Sequence, residues 1–266
     1  MKKLTILMLI AVLVLVGCAS KPEATSAENN VLKVGMELKY PPFETKDADG
    51  NPAGASVMLA EALGKYLGRD VEIIDTPYQS LIPALEQGDI DIIISSMTIT
   101  EEREKVVDFS DPYTNSQLMM LVYKDSKVQS PDDLNNSDVV IASKTGTIGA
   151  LWAASNAPNA KILNIDEEAS AVLEVAQGNA DVFIYDPLSI IRHHENYKDT
   201  TRAILEPLPN TKGWGIAMRK GENELRNQIN EFIKTAKTDG TYDDIRNTYL
   251  KDKMEEFQQY GLEFFF

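Results

Sequence analysis

The sequence predicts an α/β protein of two similar lobes, and three observations carry that prediction. Strand-like and helix-like apolar patterns alternate from Val31 onward, as they do where helices cover sheets that are largely parallel. A ten-residue unit recurs, "QGDIDIIISS" (Gln87 to Ser96) aligning without a gap on "QGNADVFIYD" (Gln177 to Asp186). Each copy runs from a helix end at Gln-Gly into a strand that opens at Asp and closes on polar residues, with Ser96 and Asp186 in equivalent places. Helix–glycine–strand runs are common, so coincidence is the alternative. Ligands of open α/β sheets sit at the carboxyl ends of strands. Two such lobes face to face would enclose one site.

The chain opens with a targeting segment. A cationic "MKK" precedes 13 apolar residues, Leu4 to Val16, a run too short to span a membrane and suited to the core of a signal peptide. It closes on "LVGC", small residues leading into Cys18, the single cysteine of the chain. This resembles a bacterial lipobox and implies cleavage before Cys18, lipid on its sulfur and acylation of the new amine. An ordinary secretory signal is the alternative. Each buried methylene adds about 0.8 kcal/mol, so two or three acyl chains would hold the protein to a membrane. A single cysteine allows no internal disulfide. Residues 19–30, "ASKPEATSAENN", are small and polar and read as a flexible tether. The expected location is extracytoplasmic, lipid-anchored to a membrane.

Beyond the tether, strands are expected at "VLKVGME" and at Val71 to Asp75. Between them Leu59, Leu63, Tyr66 and Leu67 recur at helical spacing, and Gly68 ends the helix. Tyr78, Leu81, Ile82 and Leu85 form a second apolar stripe that stops at Gly88, with Pro83 in the first turn, where proline is tolerated. The later part repeats the alternation: strand "DVVIAS", helix from Thr147, strand "AKILNI", helix 167–177, strand "ADVFIY".

Composition narrows the function. Of the 266 residues 43% are hydrophobic and 25% charged, ordinary for a globular chain long enough to build two cored lobes. The net charge is −15, and −17 once the leader takes away Lys2 and Lys3. That argues against nucleic acid, which needs a basic face, and against a polybasic lipid-binding patch.

The stretch "ISSMTITEER", residues 94–103, gathers hydrogen-bond donors where a strand gives way to a helix. Thr100 is a good N-cap, and Glu101 and Glu102 suit the positive end of the helix dipole. Arg103 then lies in the first turn beside free backbone N–H groups. With the hydroxyls of Ser96 and Thr98 it favours an anion, and its guanidinium fork matches a planar carboxylate. Arg103 paired merely with Glu101 or Glu104 is the alternative. Asp186, at the equivalent strand end, would suit an ammonium group, or else it is a surface turn residue before Pro187. An anion cradle opposite a carboxylate describes a receptor for a zwitterion such as an α-amino acid.

"YPPFE", "LIPALEQGDIDIIISSMTITEER", "VVDFSDPY", "SKTGT", "NADVFIYDP" and "GWGIAMRKG" together resemble the amino-acid-binding proteins of bacterial ABC importers, solute-binding protein family 3. The likeness runs from about Val31 to Leu250. It implies a type II periplasmic-binding-protein-like fold, each lobe a mixed sheet flanked by helices, joined by two crossover strands. It divides the chain into a leader (1–17), a tether (18–30), lobe 1 (31–116), lobe 2 (117–211) and the rest of lobe 1 with a tail (212–266). Carried over residue by residue, Arg103 clamps the α-carboxylate with Ser96, Thr98, the Thr147 hydroxyl and the Ile148 amide. Asp186 takes the ammonium group. Tyr40 and Tyr78 form aromatic walls, core packing being the alternative for both. Glu37, Lys144 and Tyr185 lie near the ligand side chain. The implied partners are a polar amino acid and a membrane permease. The protein would be a monomer, neither an enzyme nor a cofactor carrier.

Departures and rivals remain. Where the family often has Gly-Phe-Asp-x-Asp-Leu-Ala, this chain reads "GASVMLA", with Ala55, Ser56 and Met58 replacing the phenylalanine and both acids. The phenylalanines 264–266 need cover, and the pattern assigns them no role. The rival reading is a dehydratase-like enzyme on the same fold, for which Glu37 or Glu44 could supply an acid. No nucleophile–base pair is apparent: His193 and His194 are adjacent on an expected helix and would point different ways. No Cys/His cluster suits a metal. A sensor domain would need a membrane-spanning or signalling segment, which is not expected here.

Overall fold

The computed structural model describes residues 30–115, 117–209 and 212–266. The leader, Cys18 and the tether up to residue 29 lie outside the described residues. Two five-stranded sheets carry the structure, and their layouts match. The first runs Asp70–Asp75, Val31–Met36, Ile92–Ile93, Ala217–Arg219, Val107–Phe109. The second, taken from its matching edge, runs Lys161–Ile165, Val140–Lys144, Val182–Tyr185, Met119–Tyr123, Thr201–Ile204. In both, three parallel strands are followed by one antiparallel strand, and the fifth pairs antiparallel to it. The sheets are therefore mixed.

The repeated unit occupies the same place in each sheet, the third strand. It is preceded by Gly88 and Gly178, whose positive φ values of 81° and 77° both end a helix. Only a residue without Cβ takes that left-handed conformation at no cost. Asp91 and Asp181 then do the same work. Each exchanges backbone and side-chain hydrogen bonds with the neighbouring strand: the Lys33 amide donates to the Asp91 carboxylate (3.0 Å) and the Val140 amide to that of Asp181 (2.9 Å). Their own amides donate to the Lys33 and Val140 carbonyls, both at 2.8 Å. Such matched bonding at both strand openings is not what coincidence supplies.

Helices cover each sheet because their apolar stripes face it. Leu59 and Leu63 of the helix Ala55–Leu67 are fully buried beside Leu32, Val34 and Met36. Tyr66, expected on the same stripe, is half-exposed and leans its ring on Phe232 instead (centroids 5.6 Å apart). In the other lobe the helix Ile148–Asn156 packs close to a strand end: a Cβ on Gly149 would lie 2.3 Å from the Ile184 carbonyl oxygen, so only glycine permits this approach.

The chain passes between the sheets after Phe109 and returns before Ala217. Trp214 pairs there with both Thr98 and Thr114. The aromatic tail settles on this junction. The Phe265 carbonyl accepts hydrogen bonds from the Thr114 hydroxyl and the Asn115 amide. The Phe265 ring packs edge-on to Trp214 (5.3 Å), Phe266 stacks on Tyr242 (5.3 Å), and Phe264 meets Phe257 (4.9 Å). The three rings are thus covered by Trp214, Tyr242 and Phe257. Among the described residues no helix is long and apolar enough to cross a membrane.

Candidate functional site

The carboxyl ends of the two repeated strands meet at one narrow cleft. Of the eleven ligand-binding candidates, Glu37, Tyr40, Tyr78, Ser96, Thr98, Thr147, Ile148, Tyr185 and Asp186 line it. Arg103 and Lys144 are not part of this lining, though each is bonded to a lining residue; Arg103 instead lines a neighbouring pocket with Tyr78 and Gly146.

Arg103 is buried, and its bonds do not run to Glu101 or Glu104. Its guanidinium donates to the Thr98 carbonyl (2.5 Å), the Tyr78 hydroxyl (3.2 Å) and, from the other lobe, the Gly146 carbonyl (2.8 Å). Thr100 caps the four-residue helix as expected, its hydroxyl accepting from the Arg103 amide. Thr147 begins the helix Ile148–Asn156, placing the Ile148 amide among that helix's free first-turn donors. The Thr147 hydroxyl itself donates to the Lys144 carbonyl at 2.8 Å.

Asp186 is buried rather than set in a surface turn. It caps the helix Pro187–Asn196 with one oxygen, Oδ1, which accepts from the Leu188 and Ser189 amides (2.9 and 3.0 Å). The other, Oδ2, is buried at the cleft without a close hydrogen bond, as is the Tyr40 hydroxyl, and the carboxylate and that hydroxyl interact with each other. Burial raises the Asp186 pKa above the ordinary aspartate value, the Ser189 amide pulling the other way. Burial likewise pushes the Tyr40 hydroxyl well above its usual range, with the Asp186 charge adding to the effect. A buried carboxylate met from this side by the Tyr40 hydroxyl alone is an arrangement that a donor-rich cation would complete.

The opposite end of the cleft holds a pair that spans the lobes. Glu37 accepts the Lys144 ammonium on Oε2 and the Tyr78 amide on Oε1 (3.3 Å). The Lys144 ammonium and the Arg103 guanidinium both lie over the Tyr78 ring, 5.7 and 5.8 Å from its centroid. Tyr40 makes an edge contact with Tyr185 and another with Trp214, each at 6.1 Å. These tyrosines therefore do both jobs, walls of the cleft and packing.

Sequence reasoning left six lining residues out of the site: Glu44, Ser95, Gln117, Leu118, Lys212 and Trp214. Glu44, the last letter of "YPPFE", is the most perturbed of them. It is 1% exposed, and the Ser96 hydroxyl bridges its two oxygens (2.9 and 3.1 Å). Burial pushes its carboxyl up to about 8, against the opposing pull of the Ser56 and Ser96 hydroxyls. Ser96 reaches it from a left-handed backbone conformation (φ 47°), unusual for a residue with a Cβ. Ser56, one of the departures from the family pattern, lies on this same buried acid. An aspartate there would set a second carboxylate against Glu44. The histidines diverge as expected, His193 to Glu168 (2.6 Å) and His194 to Thr201 (3.2 Å).

Two matched α/β lobes with a polar cleft at their facing strand ends define a two-lobed binding protein of type II topology. Comparison with known proteins agrees. The model of the bacterial extracellular solute-binding proteins, family 3, matches residues 32–252, and the chain belongs to that family. The ABC transporter glutamine-binding protein GlnH of Bacillus subtilis (strain 168) is 30% identical over 273 residues, covering 95% of this chain and 98% of the relative. An ancestral arginine-binding protein, solved bound to arginine, superposes with a TM-score of 0.74 at 32% identity, over 83% of this chain and 98% of that one. The ancestral amino acid-binding protein AncCDT-1, described as a precursor of cyclohexadienyl dehydratase, gives 0.72 at 37% identity, over 84% and 96%.

Proposed function

We propose that this solute-binding protein, lipid-anchored through Cys18 outside the cytoplasm, closes its lobes on a polar amino acid and presents it to an ABC permease. The observation that carries the reading is the buried Asp186 Oδ2 at the cleft, which has no close hydrogen bond and interacts weakly with the Tyr40 hydroxyl. An α-ammonium group supplies the donors that this place lacks. The α-carboxylate goes to the Arg103 side. Among the described residues three of the five guanidinium donors are engaged; Thr98 and the Ile148 amide add to the free ones, and the Ser96 and Thr147 hydroxyls join them by turning from Glu44 and the Lys144 carbonyl. The ligand favours the shut cleft through contacts that only the shut form provides. Relatives named for glutamine and arginine support an amino acid with a polar side chain.

A thermal-shift screen of the twenty amino acids tests this directly. A ligand at 100 times its Kd stabilises by about 2.7 kcal/mol, a clear rise in unfolding temperature. One or a few polar amino acids are expected to give it, and a flat response to all twenty would end the proposal.

One observation favours a second reading. Glu44 holds its proton to about pH 8 at the cleft, as a general acid must, and AncCDT-1 is described as a dehydratase precursor. Consumption of a cyclic amino-acid precursor by the purified protein would favour a dehydratase over binding alone.

A further inference from the structure

Residues 260–266 touch both lobes, and they lie past residue 252, where the family match ends. The helix Lys251–Gln259 that leads into them is fixed in lobe 1, because Phe257 is buried in that lobe's core. The helix stops in a glycine turn: Gly261 takes φ 68°, and the Leu262 amide donates back to the Phe257 carbonyl at 3.0 Å. Beyond the turn the chain is fixed again. The Asn115 amide donates to the Phe265 carbonyl at 3.2 Å, Phe266 is buried against Tyr113 and Tyr242, and the Arg246 guanidinium donates to the Phe266 backbone oxygen at 3.0 Å.

Between these two anchors the chain touches lobe 2. The Tyr260 hydroxyl donates to the Glu195 carboxylate at 2.5 Å, and Leu262 packs on the cluster that holds Met119, Phe183 and Ile190. Glu195 and Ile190 belong to the helix Pro187–Asn196, which Asp186 caps. Lobe 1 already holds this helix from another side. Leu188 and Ile191 are buried in the cluster of Tyr40 and Phe43, and the Arg192 guanidinium donates to the Pro41 carbonyl. A hollow of about 540 Å³ lies against residues 262–266, walled also by Met119, Pro187, Tyr113 and Tyr242. The segment therefore bridges the lobes rather than filling a core.

We propose that residues 260–266 are a strap that holds the helix Pro187–Asn196, and with it Asp186, in the shut arrangement, and so sets how firmly the cleft keeps its ligand. Under the reading above, on which this inference rests, the lobes swing apart to admit that ligand. The strap cannot follow lobe 2 outward, because it is pinned to lobe 1 at Phe257 before the crossing and at Phe266 after it. Opening therefore breaks the Tyr260–Glu195 bond and bares Leu262. Contacts made only in the shut form raise the shut fraction of the empty protein, and apparent affinity rises with that fraction. Tyr260 and Leu262 are positioning residues: neither lines the cleft, and both act through the helix that Asp186 caps.

Tyr260→Phe removes the crossing bond alone, from a half-buried ring whose partner is exposed. Leu262→Ala removes the apolar contact. Small-angle scattering of the empty proteins reads the shut fraction, and calorimetry with L-glutamine and L-arginine as probes reads affinity. Both variants are expected to show a larger radius of gyration than wild type when empty, the same radius when saturated, and an affinity lower by about three- to tenfold. Tyr260→Phe should leave the urea midpoint in place, as surface changes do, so its loss of affinity is no folding defect. Added to Glu195→Ala, it should have no further effect. Equal empty radii for wild type and Tyr260→Phe would overturn the strap, as would unchanged affinity or a loss that persists on Glu195→Ala. If none of the twenty amino acids bound, amino-acid capture would fall as a reading, and the empty radii would still decide the strap.

Discussion

Glu44 makes a prediction about the empty protein that needs no ligand. In the unfolded chain its carboxyl titrates near the ordinary value of 4.5, and in the folded protein near 8. Between those values the native state holds a proton that the unfolded state has lost, so this residue's contribution to stability falls as pH rises. The slope is at most about 1.4 kcal/mol per pH unit, and over the whole interval it amounts to something on the order of 4–5 kcal/mol. That is a large share of the 5–15 kcal/mol typical of a folded domain. Other groups slope as well. Burial raises Asp186 in the same sense, while the Lys220 contact lowers the Asp108 carboxyl and works in the opposite sense. The decisive quantity is therefore the difference between wild type and Glu44→Gln, an isostere that does not titrate. Urea denaturation at half-unit steps from pH 5 to pH 9 measures it. The variant is expected to gain on the wild type by several kcal/mol between pH 5 and pH 8.5, the gap levelling off above. Parallel stability curves for the two proteins would show that Glu44 ionises freely in the fold. The account of its burial would then be wrong.

Three further outcomes are expected. Arg103→Ala removes the guanidinium that binds Thr98, Tyr78 and Gly146; losing one partner of a desolvated charge pair costs about 2–5 kcal/mol, so calorimetry should show amino-acid affinity down by about 30-fold or more, and unchanged affinity would take the anion site elsewhere. Lys144→Met leaves Glu37 buried and unpaired only while the cleft is shut, so ligand affinity should drop by a similar factor with little change in the unfolding temperature of the empty protein; the reverse pattern would mean that the pair holds the fold rather than the closure. Phe257→Ala empties a fully buried site against Phe264 and Phe265 and should cost about 3–5 kcal/mol in denaturant melts, whereas a loss below about 1 kcal/mol would mean that the tail packs elsewhere in solution.

Much of this architecture was legible because it repeats. Period-2 and period-3.6 patterns show the strands and helices, and the echo between 87–96 and 177–186 places two strands at one topological position in two sheets. Asp186 was read as either turn residue or ligand group. The carboxylate allows both at once, since Oδ1 caps a helix and Oδ2 faces the cleft. Glu44, the last residue of "YPPFE", reads in the sequence only as a candidate acid of the enzymatic alternative. What makes it unusual, the loss of water and the Ser96 hydroxyl held at φ 47°, arises from residues 52 positions apart and has no local signature. The same holds for the tail. Phe265 meets Thr114 across 151 positions, and nothing in "GLEFFF" announces that partner.

The contacts between the lobes decide what a ligand has to supply. Lys39 meets Glu167 across the cleft mouth at 2.7 Å, but both side chains are more than half-exposed, and such pairs contribute about 0–1 kcal/mol. Arg192 reaches the Pro41 carbonyl from an exposed position. The buried pair, Glu37 with Lys144, recovers in attraction about what it loses in desolvation. It sets how the two lobes meet more than how tightly they hold. The Arg103 guanidinium adds a charge-assisted bond to the Gly146 carbonyl of the other lobe (2.8 Å), a contact of about 1.5–3 kcal/mol. Against these contacts stands a cost of shutting the cleft: Asp186 Oδ2 and the Tyr40 hydroxyl are sealed from water with only a weak interaction between them, and an unsatisfied buried group costs about 1–3 kcal/mol. A bound ammonium group removes that cost, and removes it only in the shut form. The ligand's share in closure therefore lies in completing the contacts of the two oxygens that closure buries, so Asp186→Asn, whose amide can donate to the Tyr40 hydroxyl, should let the empty protein shut more readily while binding its ligand less well. Small-angle scattering of that variant without ligand is expected to show a smaller radius of gyration than the wild type, and an unchanged or larger one would mean that closure is driven from elsewhere.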